Sequence, residues 1–304
     1  MESLAGEFSG LRAHLISVAY RLTGSVADTE DAVQESWLRL SGLSEGRREE
    51  IRELAPWLTT VVSRICVDRL RSATARRETY VGQWLPEPIV RPLTEQPGED
   101  PLDVVVRDDG VRMAAMVVLD RLTPEQRVAF VLHDAFGVSF AEIADILGCT
   151  VQTARQHGSR GRRAVAEADP PDRAAMEQQR AVLEQVVTAF ISGDMRAVTE
   201  LLHPDAVLVG DSDGKAKTTR QIMRGADKIV RFFQGLRRMY LAEGLRAGVP
   251  VLVNGDLGFY LPPHPGDDTH KDLDAHLQTF ALREGKIVAI YDQANPDKLT
   301  RVMR

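Results

Sequence analysis

From Phe8 to about Ala75, apolar residues recur at intervals of three and four. Leu11, Leu15, Val18, Ala19 and Leu22 form the first such series, the spacing that lines one face of a helix. A second helix, TEDAVQESWLRL, keeps Ala32, Val33, Trp37 and Leu40 on a face, with Asp28 as its expected cap. The polar run SGLSEGRREE separates it from a third helix. That helix begins near Pro56, a residue favoured in a first helical turn, and reads PWLTTVVSRICVDRLRSA.

The pattern then breaks. Residues 82–101, GQWLPEPIVRPLTEQPGEDP, hold five prolines and no period, which marks a linker. Trp84, Leu85, Ile89 and Val90 make it apolar enough to dock on a folded surface. Helical patterning returns from about Val104 to Glu167. Within it Thr123 caps, Pro124 starts, and Val128, Phe130, Val131 and Leu132 fill a helix expected to end near Gly137. FAEIADIL makes a short second helix, Gly148 permits a tight turn, and Thr150 caps a third. Helix, short turn, helix is the spacing of a helix-turn-helix, whose last helix enters a DNA groove. Gly158 and Gly161 are unfavourable inside that last helix by roughly 1 kcal/mol each against alanine.

ADPP at 168–171 interrupts the chain again. Two helices at roughly 174–191 and 194–202 follow, and then strand-like runs: AVLVG, GVPVLVN, LGFYL, DAHLQTFAL and GKIVAIYD. A helix near 226–240 interrupts these. Helices followed by mostly antiparallel strands predict a separate α+β domain.

Length and composition narrow the class. A chain of 304 residues with 43% hydrophobic and 27% charged residues fits soluble globular protein in two or three domains. No apolar run reaches the ~18 residues of a membrane span, and MESLAGEFSGLRAH lacks the order of a secretory signal. Cys66 and Cys149 are far apart among apolar neighbours and are expected to be reduced thiols, not metal ligands.

Charge changes the picture more. The net charge is −6, yet residues 149–165 carry Arg155, Arg160, Arg162 and Arg163 with no acid. Residues 61–77 carry five arginines against Asp68 alone. Of 38 basic residues six are lysine, the first at Lys215, so the first two-thirds of the chain rely on guanidinium forks. Those suit phosphate and guanine. Arg162 and Arg163 could simply be solvated or complement the helix dipole, whereas Arg155 and Arg160 belong to the outward first turns. Asp28, Glu30, Asp31 and Glu35 form an opposite, acidic patch suited to a basic partner.

YRLTGSVADTEDAVQESWLRL, PWLTTVVSRICVDRLR and LTPEQRVAFVLHDAFGVSFAEIADILGCTVQTARQHGSRGRRA, in this order over about residues 8–167, resemble bacterial sigma factors of the extracytoplasmic-function (ECF) type. The resemblance implies an all-α domain at 1–77 that docks on core RNA polymerase and captures the −10 promoter element. It implies a linker at 78–106 and an all-α helix-turn-helix domain at 107–168 that reads the −35 element. Polymerase contact would fall to Asp28, Asp31, Gln34 and Glu35, and −10 contact to Arg64, Asp68, Arg69 and Arg71. Relatives often have asparagine where this chain has Arg64. The −35 contacts would be Thr150, Gln152, Thr153, Arg155, Gln156, Arg160 and Arg163, with Gln152, Arg155 and Gln156 placed to read base edges.

QQRAVLEQVVTAFISGDMRAVTELLHPDAVLVGDSDGKA resembles the opening of SnoaL-like domains, cones of curved sheet wrapped by helices that usually enclose a pocket. WLPEP (84–88), DSDGK (211–215) and NPDKL (295–299) resemble motifs of a sigma subgroup with such a domain fused at 174–304. The resemblance implies that this domain regulates the sigma unit, through Trp84, Leu85, Pro86, Asp211, Gly214, Lys215, Asn295, Pro296, Asp297, Lys298 and Leu299. Asp213 stands where glycine is expected. Trp84 and Leu85 are expected between the first helical domain and the third, with NPDKL holding them.

Two other readings stay open at this point. SnoaL-like domains include isomerases and cyclases, for which Asp211, Asp213, His203, His276 and Asp292 are the polar candidates. His203 and Asp292 equally serve a helix end and a strand end. His264, His270, Asp267 and Asp268 fit a metal site or a solvated loop. The other rival is a stand-alone helix-turn-helix regulator, for which the acidic helix would have no use. No cofactor is expected, no membrane is a partner, and an unidentified small ligand in the C-terminal domain is one reading of its pocket.

Overall fold

The computed structural model describes residues 4–77, 79–93 and 100–302, with the backbone alone at 73–77. The Arg76 and Arg77 side chains and linker residues 94–99 therefore lie outside the described residues. The chain divides into two compact units. One holds 1–78, 97–111 and 115–170, and the other 79–96, 112–114 and 171–304.

The first unit opens with α1 (Leu4–Thr23), α2 (Val26–Ser41), the short α3 (Glu45–Glu49) and α4 (Leu54–Arg77). Leu15, Val18, Ala19 and Leu22 of α1 are buried against α2 and α4, which contribute Ala32, Leu40, Leu58, Val62 and Cys66. The cap of α2 is Ser25, not Asp28: its hydroxyl accepts from the Asp28 N–H at 3.2 Å. Asp28 instead sits in the first turn, where a carboxylate complements the helix dipole.

The second half of this unit follows α5 (Pro101–Val105) and α6 (Met113–Leu119). Then come α7 (Pro124–Phe130), α8 (Phe140–Leu147) and α9 (Val151–Ala168). Thr123 and Ser139 each form a capping box, with Gln126 and Glu142 respectively, and Thr150 caps α9. The helical path of α7 continues through a π-turn at Val131–Ala135 to Gly137, whose φ of +67° ends it. Gly148, at φ +68°, makes the turn between α8 and α9.

The glycines of α9 are where close packing needs them. A Cβ at Gly161 would lie 2.9 Å from the Gln126 carbonyl oxygen and from Phe130 Cβ, and one at Gly158 2.9 Å from the Phe140 ring. Their cost in helix propensity is the condition for α9 to lie directly on α7 and α8.

Arg127 binds the two halves of this unit. It is 2% exposed, and its Nε donates to the Arg21 carbonyl oxygen at 2.8 Å, its Nη1 to Asp120 at 3.2 Å. Arg21 in turn pairs with Asp108 at 2.6 Å. Nothing in the apolar periodicity marks Arg127 as a core residue.

The second unit is one seven-stranded sheet packed by helices. Its strands are β1 (Val90–Pro92), β2 (Leu202–Asp211), β3 (Met223–Arg224), β4 (Val249–Val253), β5 (Asp256–Leu261), β6 (His276–Arg283) and β7 (Lys286–Gln293). They lie in the order β1-β4-β5-β6-β7-β2-β3, antiparallel except for β2 beside β7. Two-residue turns, Asn254–Gly255 and Glu284–Gly285, all with positive φ, close the β4–β5 and β6–β7 hairpins. That is the turn whose twist matches a hairpin. Helices α10 (Met176–Ser192), α11 (Met195–Leu201), α12 (Ala226–Met239) and α13 (Ala242–Arg246) complete the unit. Val182, Val186, Ile229 and Phe233 from these helices meet Leu208, Leu257, Ile287 and Ile290 of the sheet in one core.

The expected 78–106 linker is thus divided. Residues 79–93 belong to the α+β unit, and Val90–Pro92 form an edge strand paired with Val251–Val253. Proline is tolerated at an edge because its missing N–H costs no ladder bond there. Residues 101–105 are helical and belong to the first unit. No described helix is long and apolar enough to cross a membrane.

Candidate nucleic-acid interface and linker latch

Helix α9 is two-faced. Ala154, Gly158 and Gly161 are buried, while Gln152, Arg155, Gln156, Arg160 and Arg163 are exposed, and Thr150 lies at the N-terminus. Thr153 is half-buried, and its hydroxyl lies 2.9 Å from that of Thr150. Arg162 is tied to Asp134 at 2.8 Å and Arg163 to Glu167 at 2.7 Å. Among the described residues Arg155 and Arg160 form no ion pair, so their guanidinium groups keep their donors for an external anion.

On α2 and α4 the acidic and basic expectations meet. Arg69 donates to Asp28 at 2.8 Å and to Asp31 at 3.4 Å. Burial works against the Arg69 cation, but the two carboxylates outweigh it and hold its pKa above the ordinary value. Glu35 pairs with Arg39 one turn on, and Gln34 stays exposed. Arg71 approaches Glu125 at 3.9 Å, Arg64 reaches the Asp145 carbonyl at 3.5 Å, and Asp68 is exposed.

The α+β unit holds its stretch of linker by a buried charge. Asp211 ends β2 and is fully buried. It accepts from the Leu85 N–H at 2.7 Å, the Tyr80 hydroxyl at 2.5 Å and the Lys298 ammonium at 2.7 Å. Lys298 also donates to the Leu85 carbonyl at 2.6 Å and lies 4.1 Å from the centre of the Trp84 ring. Asn295 donates to the Tyr80 oxygen at 2.8 Å. Burial, then the hydrogen bond to Asp211, pushes the Tyr80 phenol well above its usual range.

WLPEP, DSDGK and NPDKL are thereby brought together. Leu85 and Pro86 are buried, Trp84 is half-buried, and Leu299 is buried behind the turn formed by exposed Pro296 and Asp297. Lys215 pairs with Asp297 at 2.6 Å and Asp213 at 3.0 Å. Asp213 takes the left-handed backbone (φ +50°) that glycine would take, and its carboxylate accepts from the Val81 N–H at 3.2 Å. Gly214 follows at φ +71°, with Val81 where a Cβ would need space. Trp84 and Leu85 lie on the α+β unit itself.

Three contributors escaped the sequence reading. Tyr80 and Val81 precede the apolar part of the linker. Asn254, at the tip of a hairpin, accepts from the Ile89 N–H at 2.9 Å and donates its own N–H back at 2.8 Å. The Asn-Gly turn signal was in the sequence, but not that its side chain would anchor a strand some 165 residues earlier.

The remaining polar candidates separate. His203 serves the Asp205 N–H at 3.2 Å, a local bond. Asp267 accepts from Thr269 and His270 in a tight loop, bonds that hold its carboxyl well below the usual range. No group of residues able to hold a metal is found among the described residues. His276 and Asp292 are brought together: Nδ1 lies 3.0 Å from one carboxylate oxygen, both residues are buried, and both line a cavity.

Comparison with known proteins now places the chain. The sigma-70 region 2 family matches residues 8–76 and the sigma-70 region 4 family residues 112–165. The chain belongs to the ECF RNA polymerase sigma factors, the subunits that direct promoter-specific transcription initiation. It is 49% identical to the ECF RNA polymerase sigma factor SigJ of Mycobacterium tuberculosis, over 97% of this chain and 92% of that protein. The crystal structure of SigJ superposes with a TM-score of 0.81 at 46% identity, over 97% of this chain and 98% of that one. The probable ECF sigma factor SigI of the same species is 33% identical over 72% of this chain and 71% of its own length.

Proposed function

We propose that this sigma factor carries its own regulator: the C-terminal α+β domain controls it by gripping the linker that follows α4. The observation that carries this is the Asp211–Lys298 pair closed over the Leu85 backbone. A buried ion pair is poor value as a stabiliser but specifies one arrangement where its partners are backbone atoms of another segment. In this reading the domain is a regulator and not a catalyst, and the protein works in the cytoplasm beside its polymerase.

The carboxylates of α2, Asp28, Asp31 and Glu35, with Gln34 beside them, serve core polymerase. Arg64, Asp68, Arg69 and Arg71 of α4 serve the −10 element. The free arginines of α9 supply salt-dependent affinity for the −35 element, and Gln152 and Gln156 supply base contacts there. Unstacking bases at −10 costs a few kcal/mol per step, which is why α4 acts together with polymerase.

The test is run-off transcription by reconstituted holoenzyme on a promoter from upstream of the chain's own gene. The full chain should direct initiation, and Trp84→Ala should change the yield while binding to −35 duplex DNA stays as in the parent. Equal yields from both proteins would remove the linker from regulation. Absence of transcript together with absence of polymerase binding would remove the initiation role.

A further inference from the structure

Residues 214–246 of the α+β unit carry nine basic residues against two acids, in a chain whose net charge is −6. Two of the nine are engaged at home: Lys215 with Asp213 and Asp297, and Arg237 with the Ile191 carbonyl. Arg224, Lys228, Arg231 and Arg238 are exposed and, among the described residues, form no ion pair. The last three stand on α12, whose opposite face buries Ala226, Ile229, Val230 and Phe233. With 3.6 residues per turn they fall within about 80° of arc and span about 15 Å of helix. Arg224 precedes them on β3, the edge strand that leads into the helix. Arg231 uses only its Nε at home, on the Asp227 carbonyl at 3.2 Å. Asp227 is the one acid of α12 and sits in its first turn, where it complements the helix dipole. Gly235 lies on the same strip, between Arg231 and Arg238, and a Cβ there would meet nothing within 4 Å. Glycine is the poorest helix former after proline, and unlike Gly158 and Gly161 it is required here by no neighbour in the chain. It leaves bare backbone in the middle of the strip, which suits the close approach of an external chain.

We propose that this strip binds the phosphate backbone of duplex DNA, so that the α+β unit adds a second, sequence-independent DNA contact to that of α9. The chemistry of the strip selects the partner. Positive charges strung over about 15 Å match a repeating polyanion, about four base pairs of duplex at 3.4 Å each, and not a single small anion. The exposed positions of α12 are Asp227, Lys228, Arg231, Gln234, Gly235 and Arg238. None is aromatic, so unpaired bases find no stacking platform. None carries an apolar side chain, so the helix has nothing to insert among lipid headgroups. Arginine forks meet phosphate oxygens two at a time, and the bare backbone at Gly235 lets the phosphate chain pass between two of them.

The place of this contact on promoter DNA rests on the −35 reading of α9 above. Seven residues, 169–175, separate α9 from α10, a tether of at most about 25 Å. Duplex DNA held by α9 thus continues within reach of the α+β unit. None of the strip's residues belongs to the latch around Asp211 and Lys298, so the domain has one surface for the linker and another for DNA.

Fluorescence anisotropy of the full chain on a mixed-sequence duplex of about 40 base pairs, titrated without polymerase at several salt concentrations, tests the strip. Arg231→Gln/Arg238→Gln should lower the salt slope of log K by about 1.8, two phosphates at about 0.9 each. Between about 50 and 200 mM salt its affinity should then fall about twelve-fold less than the parent's. Arg180→Gln/Arg196→Gln removes the same charge from exposed positions of the same unit and should leave the slope within about 0.5 of the parent's. Gly235→Leu keeps every charge. It should melt no lower than the parent, since nothing stands near that position, and bind roughly eight-fold weaker at about 0.1 M salt, the worth of one phosphate contact. An unchanged slope in the Arg231/Arg238 variant overturns the proposal, as does an equal fall in the Arg180/Arg196 control or parent-like binding by a folded Gly235→Leu. A larger effect of the two arginines on a single-stranded RNA of the same length than on the duplex overturns it too. If Gly235→Leu melts lower, the arginine pair and its control decide alone. Arg155→Ala in the same titrations reads α9 separately. A slope lowered there and not at α12 removes only the second contact, and the reverse leaves the second contact standing without the first.

Discussion

Removing the Lys298 ammonium is the most direct test of how the linker is held. Lys298→Met keeps the length and apolar stem of the side chain and leaves the Asp211 carboxylate, 0% exposed, without its counter-charge. Deleting one partner of a buried pair costs about 3–5 kcal/mol. The desolvated contact with the Trp84 ring is worth about 1–2 kcal/mol on its own, but the two terms share one charge and do not add. Tyr80, Leu85 and Gln293 still donate to the carboxylate, so the lower end, about 3 kcal/mol, is expected. For a unit of this size each kcal/mol moves the melting temperature by about 2–4 °C, which gives a fall of roughly 6–12 °C. Calorimetry on the full chain reads that fall, and hydrogen exchange at the Leu85 amide should accelerate with it. Adding Asp211→Asn should restore part of the loss, with a coupling of about 1 kcal/mol or more in the double-mutant cycle. A loss below about 1 kcal/mol with Leu85 exchange unchanged would mean that the pair behaves like an exposed salt bridge, and the argument from its burial would fail.

Three further outcomes follow from the geometry. Arg155→Ala and Arg160→Ala should each weaken −35 duplex binding and lower the salt slope of log K by about 0.9 for each phosphate no longer neutralised, whereas Arg162→Ala, already tied to Asp134, should do so less; equal slopes in all three, measured by fluorescence anisotropy, would contradict this. Gly161→Ala should destabilise the helical unit by about 1–3 kcal/mol through overpacking, despite a gain of about 1 kcal/mol in helix propensity, and a stabilised variant in chemical denaturation would refute the close approach. His276 has a raised pKa and Asp292 a lowered one. The histidine part of their stabilisation is present below pH ~6.5 and is lost as pH rises through the folded value. The aspartate part is present above pH ~3.9 and is lost as pH falls through its folded value. Melting temperature against pH should therefore decline on the alkaline side in the parent and lose that decline in His276→Gln.

How far the sequence reaches can be judged element by element. Periodicity of three and four was enough for α1, α2, α4 and the helices of the helix-turn-helix, because each buries one face against a neighbour close in the chain. Capping chemistry marked Thr123 and Thr150 for the same reason: a cap is satisfied within four residues. It misplaced the cap of α2, where Ser25 and Asp28 are both good acceptors and only the backbone at Ser25 selects between them. The exposed arginines of α9 were legible as charge without compensation. That two of the four would be paired at home with Asp134 and Glu167 was legible only for Glu167, one turn along the same helix.

Tertiary structure decided what depends on residues distant in the chain. A proline-rich stretch with no period became an edge strand because β4 offers it a free edge and Asn254 a buried anchor. Gly158 and Gly161 read as flaws in a helix until α7 and α8 lay against them. Arg127, polar in every local sense, is core because Asp120 and the end of α1 close around its guanidinium. Asp211, Tyr80, Leu85 and Lys298 span more than two hundred positions, and their meeting rests on β2 running parallel beside β7, a pairing that no local signal encodes. Local chemistry sets which elements form. Which buried charge finds which partner is settled only when long-range packing removes water from both.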